Sequence, residues 1–120
     1  MAAESLDHLR RALAAGTPLA AALHATLAPL REYDRLHNGD LVHSLDVYFE
    51  VGENLSRAAG LLFLHRNSLY YRLAHIQALT GLPLDDETAR VWLHLAVLAE
   101  RFQAEDEEDG NEREGDTGPA

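Results

Sequence analysis

The sequence predicts an all-α fold, a small bundle of five to seven helices followed by a disordered acidic C-terminal tail. Three observations predict it. Apolar residues recur at three- and four-residue spacing along most of the chain. Strand signals are sparse, with few Val or Ile and no alternating stretch, and Asn38-Gly39 lies between segments that themselves read as helical. The length, 120 residues, suffices for one hydrophobic core and not for two.

The elements follow in order. Leu6, Leu9 and Leu13 make a first apolar stripe, which stops at Gly16-Thr17-Pro18. Leu19 to Leu27 is Ala-rich and reads as a second helix ended by Pro29. Leu30, Tyr33 and Leu36 continue as a short third segment. Asp40 is placed to cap a helix carrying Leu41, Leu45, Tyr48 and Phe49, terminated by Gly52. Asn54 is a strong N-cap for a helix with Leu55, Ala58, Ala59 and Leu62. Phe63-Leu64 leave room only for a tight turn before His65, which can cap the next helix. That helix carries Leu69, Leu73 and Ile76, with Gly81 as its left-handed stop. After the connector Leu82-Pro83-Leu84, Asp85 caps a last helix with Glu87 in its first turn, where negative charge suits the helix dipole. Val91, Leu95 and Leu98 form its main stripe, beside Trp92 and Phe102. Beyond Phe102 no large apolar residue remains, so residues 103–120 are expected to be disordered.

Charge must be divided before it is interpreted. The whole chain carries 20 acidic and 10 basic residues, a formal net charge of -10, which by itself argues against an anionic partner. From Gln103 to Ala120 there are 8 acidic residues and one Arg, so that segment holds -7 of the total and the remaining body -3. Within the body, the 31 residues from Asn54 to Leu84 contain no Asp or Glu, while Arg57, Arg66 and Arg72 supply +3. All ten basic residues are Arg, which codon usage in a GC-rich genome explains better than any physical demand for guanidinium groups.

Several classes of function are disfavoured. Without cysteine there is no disulfide framework, thiolate zinc site or cysteine nucleophile. The amphipathic start lacks a signal-peptide core, and no apolar run approaches the ~18 residues of a membrane span. The seven His include no His-x-x-x-His pair, since His37 and His43 straddle a turn and His65 and His75 are ten apart. Ser44, His43 and Asp46 lack nucleophile-elbow glycines, and there is no Gly-rich phosphate loop. No enzyme activity, metal or cofactor is expected.

The acid-free stretch is also where the helices are most sharply punctuated. Two helices of roughly 8 and 15 residues joined by a turn of about three form a helix-turn-helix pattern. On a wheel of ~100° per residue, Leu69, Leu73, Ile76 and Thr80 share one face of the second helix. Asn67, Tyr71, Ala74 and His75 point the other way, with Arg66, Ser68, Tyr70 and Arg72 on the flanks. The outward set is almost entirely hydrogen-bonding and is concentrated at the N-terminal end, the end that a recognition helix presents to the major groove. Arg can fork onto guanine and Asn onto adenine, whereas Tyr and Ser more often reach phosphates. A two-helix hairpin with a polar exposed face is the plainer reading of the same pattern.

The stretch from Asn54 to Leu73 resembles the C-terminal helix-turn-helix domain of the PucR/CdaR-type bacterial transcription regulators. It has their Asn-x-Ser-x-x-Ala-Ala opening, and His65-Arg66-Asn67-Ser68-Leu69-Tyr70-Tyr71-Arg72-Leu73 matches their His-Arg-Asn-Thr-x-x-Tyr-Arg-Leu motif with Ser for Thr. Leu27 to Asp34 and Leu79 to Asp86 match as flanking blocks, and a more distant similarity is to the Fis-type helix-turn-helix. The resemblance implies a sequence-specific DNA-binding domain over 38–102, preceded by a helical segment 1–37 and followed by the tail 103–120. It implies that His65 caps the recognition helix (about 65–80) and that Arg66, Asn67 and Ser68 enter the groove, joined by Tyr71. Arg57 is implied as a phosphate contact, and Tyr70 and His75 complete the candidate surface. Arg72 borders the core, where phosphate contact and pairing with an acidic residue of a neighbouring helix fit equally. Double-stranded DNA is the implied partner, read by a homodimer in the cytoplasm, on the nucleoid. The alternative is a helical interaction or dimerisation module that has lost DNA binding. Met1 to Thr26 is too short for the sensory domain of typical members, so no small-molecule site is expected. For the acidic tail, solvating disorder, competition with DNA and protein binding are the three readings.

Overall fold

A computed structural model describes the backbone of residues 2–116 and the side chains of residues 4–105. Among the described residues there are six helices and no strand: α1 (Ala2–Ala12), α2 (Pro18–His37), α3 (Leu41–Glu50), α4 (Leu55–Leu61), α5 (Arg66–Thr80) and α6 (Glu87–Asp116). The all-α expectation holds.

Thr17 starts α2, its hydroxyl accepting the Ala20 N–H at 3.0 Å with Pro18 in the first turn, where its missing N–H costs nothing. The helix does not end at Pro29 as its sequence suggested; it runs unbroken to His37. Proline removes one hydrogen bond and strains one turn, but Leu23 and Leu27 before it and Leu30 after it are all fully buried on the same face. Burial of that continuous stripe outweighs the local penalty. The helix ends in left-handed Asn38 (φ 50°), whose N–H returns to the Asp34 carbonyl.

The start of α3 corrects a second expectation. Asp40 makes no side-chain capping bond. Asp34, still on α2, accepts the Leu41 N–H at 2.8 Å and the Val42 N–H at 3.1 Å through its two carboxylate oxygens. One residue from α2 therefore stitches the two helices together. Gly39 makes the approach possible, because a Cβ there would stand 2.9 Å from Asp34 Oδ1 and 3.1 Å from the Tyr33 ring. At α6 the cap is likewise one residue later than expected: Asp86, not Asp85, accepts the Ala89 N–H at 2.8 Å.

A single core joins α2, α3, α4, α5 and α6 through Leu23, Leu27, Leu45, Ala58, Leu69, Ile76, Leu93 and Phe102, with Leu13 just after α1 buried in it and Leu9 of α1 packed against it. Helix α6 lies along α2 and α3. The Trp92 indole donates to Thr26 Oγ1 at 2.7 Å, and the Phe49 and His94 rings stack 4.6 Å apart. Ion pairs fasten its flanks: Arg31–Glu100 to α2, Arg101–Asp46 to α3, and Arg90–Glu53 at 3.4 Å to the α3–α4 loop. Arg10 of α1 pairs with Glu105 at 2.9 Å and lies 4.4 Å over the Phe102 ring. Past Phe102 no proline interrupts the chain before position 119, and α6 continues to Asp116, through Gly110 and Gly115, instead of stopping near Phe102. The expectation of a disordered tail falls largely outside the described side chains, and residues 117–120 lie outside the described residues altogether.

Candidate nucleic-acid interface

The site is built on local caps. Asn54 Oδ1 accepts the Arg57 N–H at 3.0 Å and opens α4. Ala58 and Ala59 are buried, and their small side chains let α4 pack closely on α5. The turn is closed by the Leu64 N–H on the Ala59 carbonyl at 2.9 Å, with Phe63 in the left-handed region at φ 56°. His65 then caps α5, its Nδ1 accepting the Asn67 N–H at 3.1 Å. That bond requires a lone pair on Nδ1, so the neutral ring carries its proton on Nε2. Gly81 closes α5 at φ 73°.

On α5, Leu69, Leu73 and Ile76 are buried, and Arg66, Asn67, Ser68, Tyr70 and Tyr71 are exposed. Tyr70 and Tyr71 meet edge to face with ring centroids 5.6 Å apart, and with Arg66, Asn67 and Leu55 they line one shallow depression at the mouth of the helix. An aromatic pair 60% and 71% exposed is an apolar surface left wet, with phenol hydroxyls available as donors. The first turn of α5 has no acidic residue, so the positive end of its dipole faces outward uncompensated.

Arginine pairing separates this face from the rest of the surface. Arg10, Arg31, Arg35, Arg72, Arg90 and Arg101 each pair with an Asp or Glu. Arg11, Arg57 and Arg66 have no acidic partner among the described residues. Arg66 stands in the first turn of α5 and Arg57 in the first turn of α4, both exposed. Exposed guanidinium groups without an acidic partner form a surface suited to phosphate and to base edges.

Of the residues singled out from the sequence, His65, Arg66, Asn67, Ser68, Tyr70 and Tyr71 lie exposed at the N-terminal end of α5, and Arg57 is exposed in the first turn of α4. Two others are differently engaged. His75 does not point outward; it is half-buried, its ring edge-on to Tyr33 of α2 at 4.5 Å. Arg72 Nη1 donates to Ser44 Oγ at 3.0 Å and stands 3.9 Å from the Asp40 carboxylate, which takes up the structural of its two sequence readings. The sequence reading did not single out Tyr33, Asp34 or Ser44 here. The signal available was Gly39, a glycine between two apolar-periodic segments. Among the described residues no group of three or more His, Asp or Glu could hold a metal ion, and no helix is long and apolar enough to cross a membrane.

Comparison with known proteins agrees with the geometry. Residues 41–99 match the family model of the PucR C-terminal helix-turn-helix domain. The chain is 31% identical over 72 residues to the DNA-binding transcriptional activator AdeR of Bacillus subtilis, a stretch covering 60% of this chain and 17% of that one. It is 35% identical over 79 residues to the purine catabolism regulatory protein of Bacillus subtilis, covering 66% and 15%. Against the carbohydrate diacid regulator of Escherichia coli it is 38% identical over 71 residues, covering 59% and 18%. The chain thus spans less than a fifth of the length of these relatives. No solved structure matches it.

Proposed function

We propose, from the match of residues 41–99 to the family model of PucR C-terminal helix-turn-helix domains, that this chain is a DNA-binding module of a transcription regulator and reads DNA as follows. Helix α5 enters the major groove by its N-terminal end. Arg66, Asn67 and Ser68 reach base edges, Arg66 by a fork onto guanine O6 and N7 and Asn67 onto adenine N6 and N7. Arg57 and the Tyr70 and Tyr71 hydroxyls hold the flanking phosphates. His65 acts through its cap, fixing the first turn from which the readers project. The observation that carries this reading is the pair of exposed guanidinium groups without an acidic partner among the described residues, Arg66 in the first turn of α5 and Arg57 in the first turn of α4.

A two-fold dimer would set two α5 helices about 34 Å apart on a near-palindrome. Val91 is 53% exposed and lies with Trp92 and Leu95 along one side of α6, an apolar strip that suits such a contact. The same strip is what favours the second reading, a helical association module without DNA binding. On the first reading the chain works on the chromosome in the cytoplasm. Fluorescence anisotropy on random duplex DNA at ~50 and ~200 mM salt separates the two, because each neutralised phosphate steepens the salt dependence. Tight binding at the lower salt that collapses at the higher supports DNA binding. Absence of binding at the lower salt, with and without residues 103–120, contradicts it.

A further inference from the structure

Behind the exposed face of α5 lies a polar contact between helices that the DNA-reading role does not by itself require. Ser44 of α3 is fully buried, the one buried polar side chain among those described. Its hydroxyl donates to the Asp40 carbonyl at 2.6 Å and accepts from Arg72 Nη1 at 3.0 Å, and the Asp40 carboxylate stands 3.9 Å from the same nitrogen. Burying a hydroxyl is unfavourable unless both its capacities are used, and here both are.

We propose that Asp40, Ser44 and Arg72 form a bracket that sets the rotation of α5 about its own axis, making Ser44 and Arg72 positioning residues for base reading. The proposal rests on the reading of α5 as the recognition helix. The apolar contacts of Leu69, Leu73 and Ile76 are non-directional and tolerate small rotations; a guanidinium held by a buried hydroxyl does not. A rotation of about 20° carries a side-chain tip about 2 Å around a helix of ~10–12 Å diameter, enough to break a hydrogen bond to a base edge. The bracket has a fixed base, since Asp34 binds the first N–H groups of α3 and Gly39 lets Asp34 come that close. It also sits next to the readers. Arg72 follows Tyr71 and is one helical turn beyond Ser68, and all three line a groove with Gly39, Asp40 and Leu41. An Arg72 drawn out to a phosphate would leave the Ser44 hydroxyl without its donor in a dry site.

The test measures affinity of the full chain for two probes: a duplex selected by the wild-type chain from a random pool, and a random-sequence duplex of equal length. It is run at a temperature where circular dichroism shows each variant fully helical. Ser44→Ala and Arg72→Lys are each expected to weaken binding to the selected duplex by roughly five- to tenfold, the scale of one hydrogen bond. Neither changes binding to the random duplex or the salt slope. Ser44 is decisive because, being fully buried, it cannot touch DNA. Unchanged affinity of Ser44→Ala for the selected duplex overturns the proposal. So does Arg72→Lys binding both duplexes like the wild type while Arg72→Gln weakens both and lowers the salt slope by about one, the pattern of a phosphate contact. A wild-type chain that binds neither duplex removes the underlying reading along with the bracket, whereas either preceding result removes the bracket alone.

Discussion

The N-terminal end of α5 and the flanks of α6 use the same side chain for opposite purposes. Along α6, Arg10, Arg31, Arg90 and Arg101 reach Glu105, Glu100, Glu53 and Asp46. In the first turns of α4 and α5, Arg57 and Arg66 have no carboxylate among the described residues to meet. Paired and half-buried, an Arg is a strut between helices; unpaired and exposed, it is hydrated and its donors are open to an external anion. Net charge, -10 over the chain, averages the two regions and describes neither. Arg72 shows that the division is made by packing and not by sequence neighbourhood, since it lies in the acid-free stretch yet is bound by α3.

Variants can break this contrast, and the largest effect comes from the core that both regions share. Leu69 is fully buried on α5, and Leu69→Ala is expected to cost about 2–5 kcal/mol of stability by thermal or urea unfolding. Next is Arg66→Ala, expected to lose roughly 1–3 kcal/mol on a selected duplex while moving stability by no more than about 0.5 kcal/mol. Arg101→Ala should do the reverse, with no change in DNA affinity and a stability loss of up to about 1 kcal/mol, as befits a partly solvated pair. Equal DNA losses for Arg66→Ala and Arg101→Ala would erase the distinction.

A smaller effect sharpens the geometry of the turn. Phe63 holds a left-handed backbone at φ 56° and its side chain is 95% exposed, so it bears strain without compensating burial. Phe63→Gly is expected to raise stability by up to about 1 kcal/mol, the relieved strain being partly offset by glycine's greater freedom when unfolded. A lower melting temperature would show that the Phe63 ring contributes to folding.

The smallest expected effect concerns acid, on the α6 side. Burial against Phe49 holds the His94 pKa below its usual 6.5, outweighing the attraction of Glu53 and Asp46. The unfolded chain then binds a proton more readily than the folded one. This contribution is complete above pH ~6.5 and is lost as pH falls from there through the lowered folded value. Melting temperature should therefore decline between pH 7 and pH 5 more in the wild type than in His94→Gln, with DNA affinity per folded molecule unaffected by the substitution. Parallel declines would remove His94 as the cause.

The most legible parts in sequence were those fixed within a few residues. Asn54, His65 and Gly81 mark the ends of α4 and α5 through side-chain caps and a left-handed stop, and all three serve as their identities suggest. What sequence concealed was decided across helices. Pro29 ended a helix by local rule, yet the stripe Leu23, Leu27 and Leu30 carries α2 through it. Asp40 was the nearest capping residue to α3, yet Asp34 reaches the same N–H groups from the preceding helix. The candidate site divides the same way. Asn67 and Tyr71 are exposed as the wheel of α5 places them, and Arg66, Ser68 and Tyr70, on its flanks, are exposed too, while Arg72 and His75 are set by α3 and α2, whose approach no wheel contains.

On the proposed reading Arg57 and Arg66, which have no acidic partner among the described residues, bind DNA, and the paired arginines do not. The most direct test of that reading is anisotropy on random duplex DNA at ~50 mM salt, where phosphate contacts dominate affinity, comparing the wild type, Arg57→Ala/Arg66→Ala and Arg31→Ala/Arg101→Ala. The expected result is binding by the wild type, loss of most of it in the first double variant, and retention in the second. Binding by the first double variant that equals the wild type would contradict it.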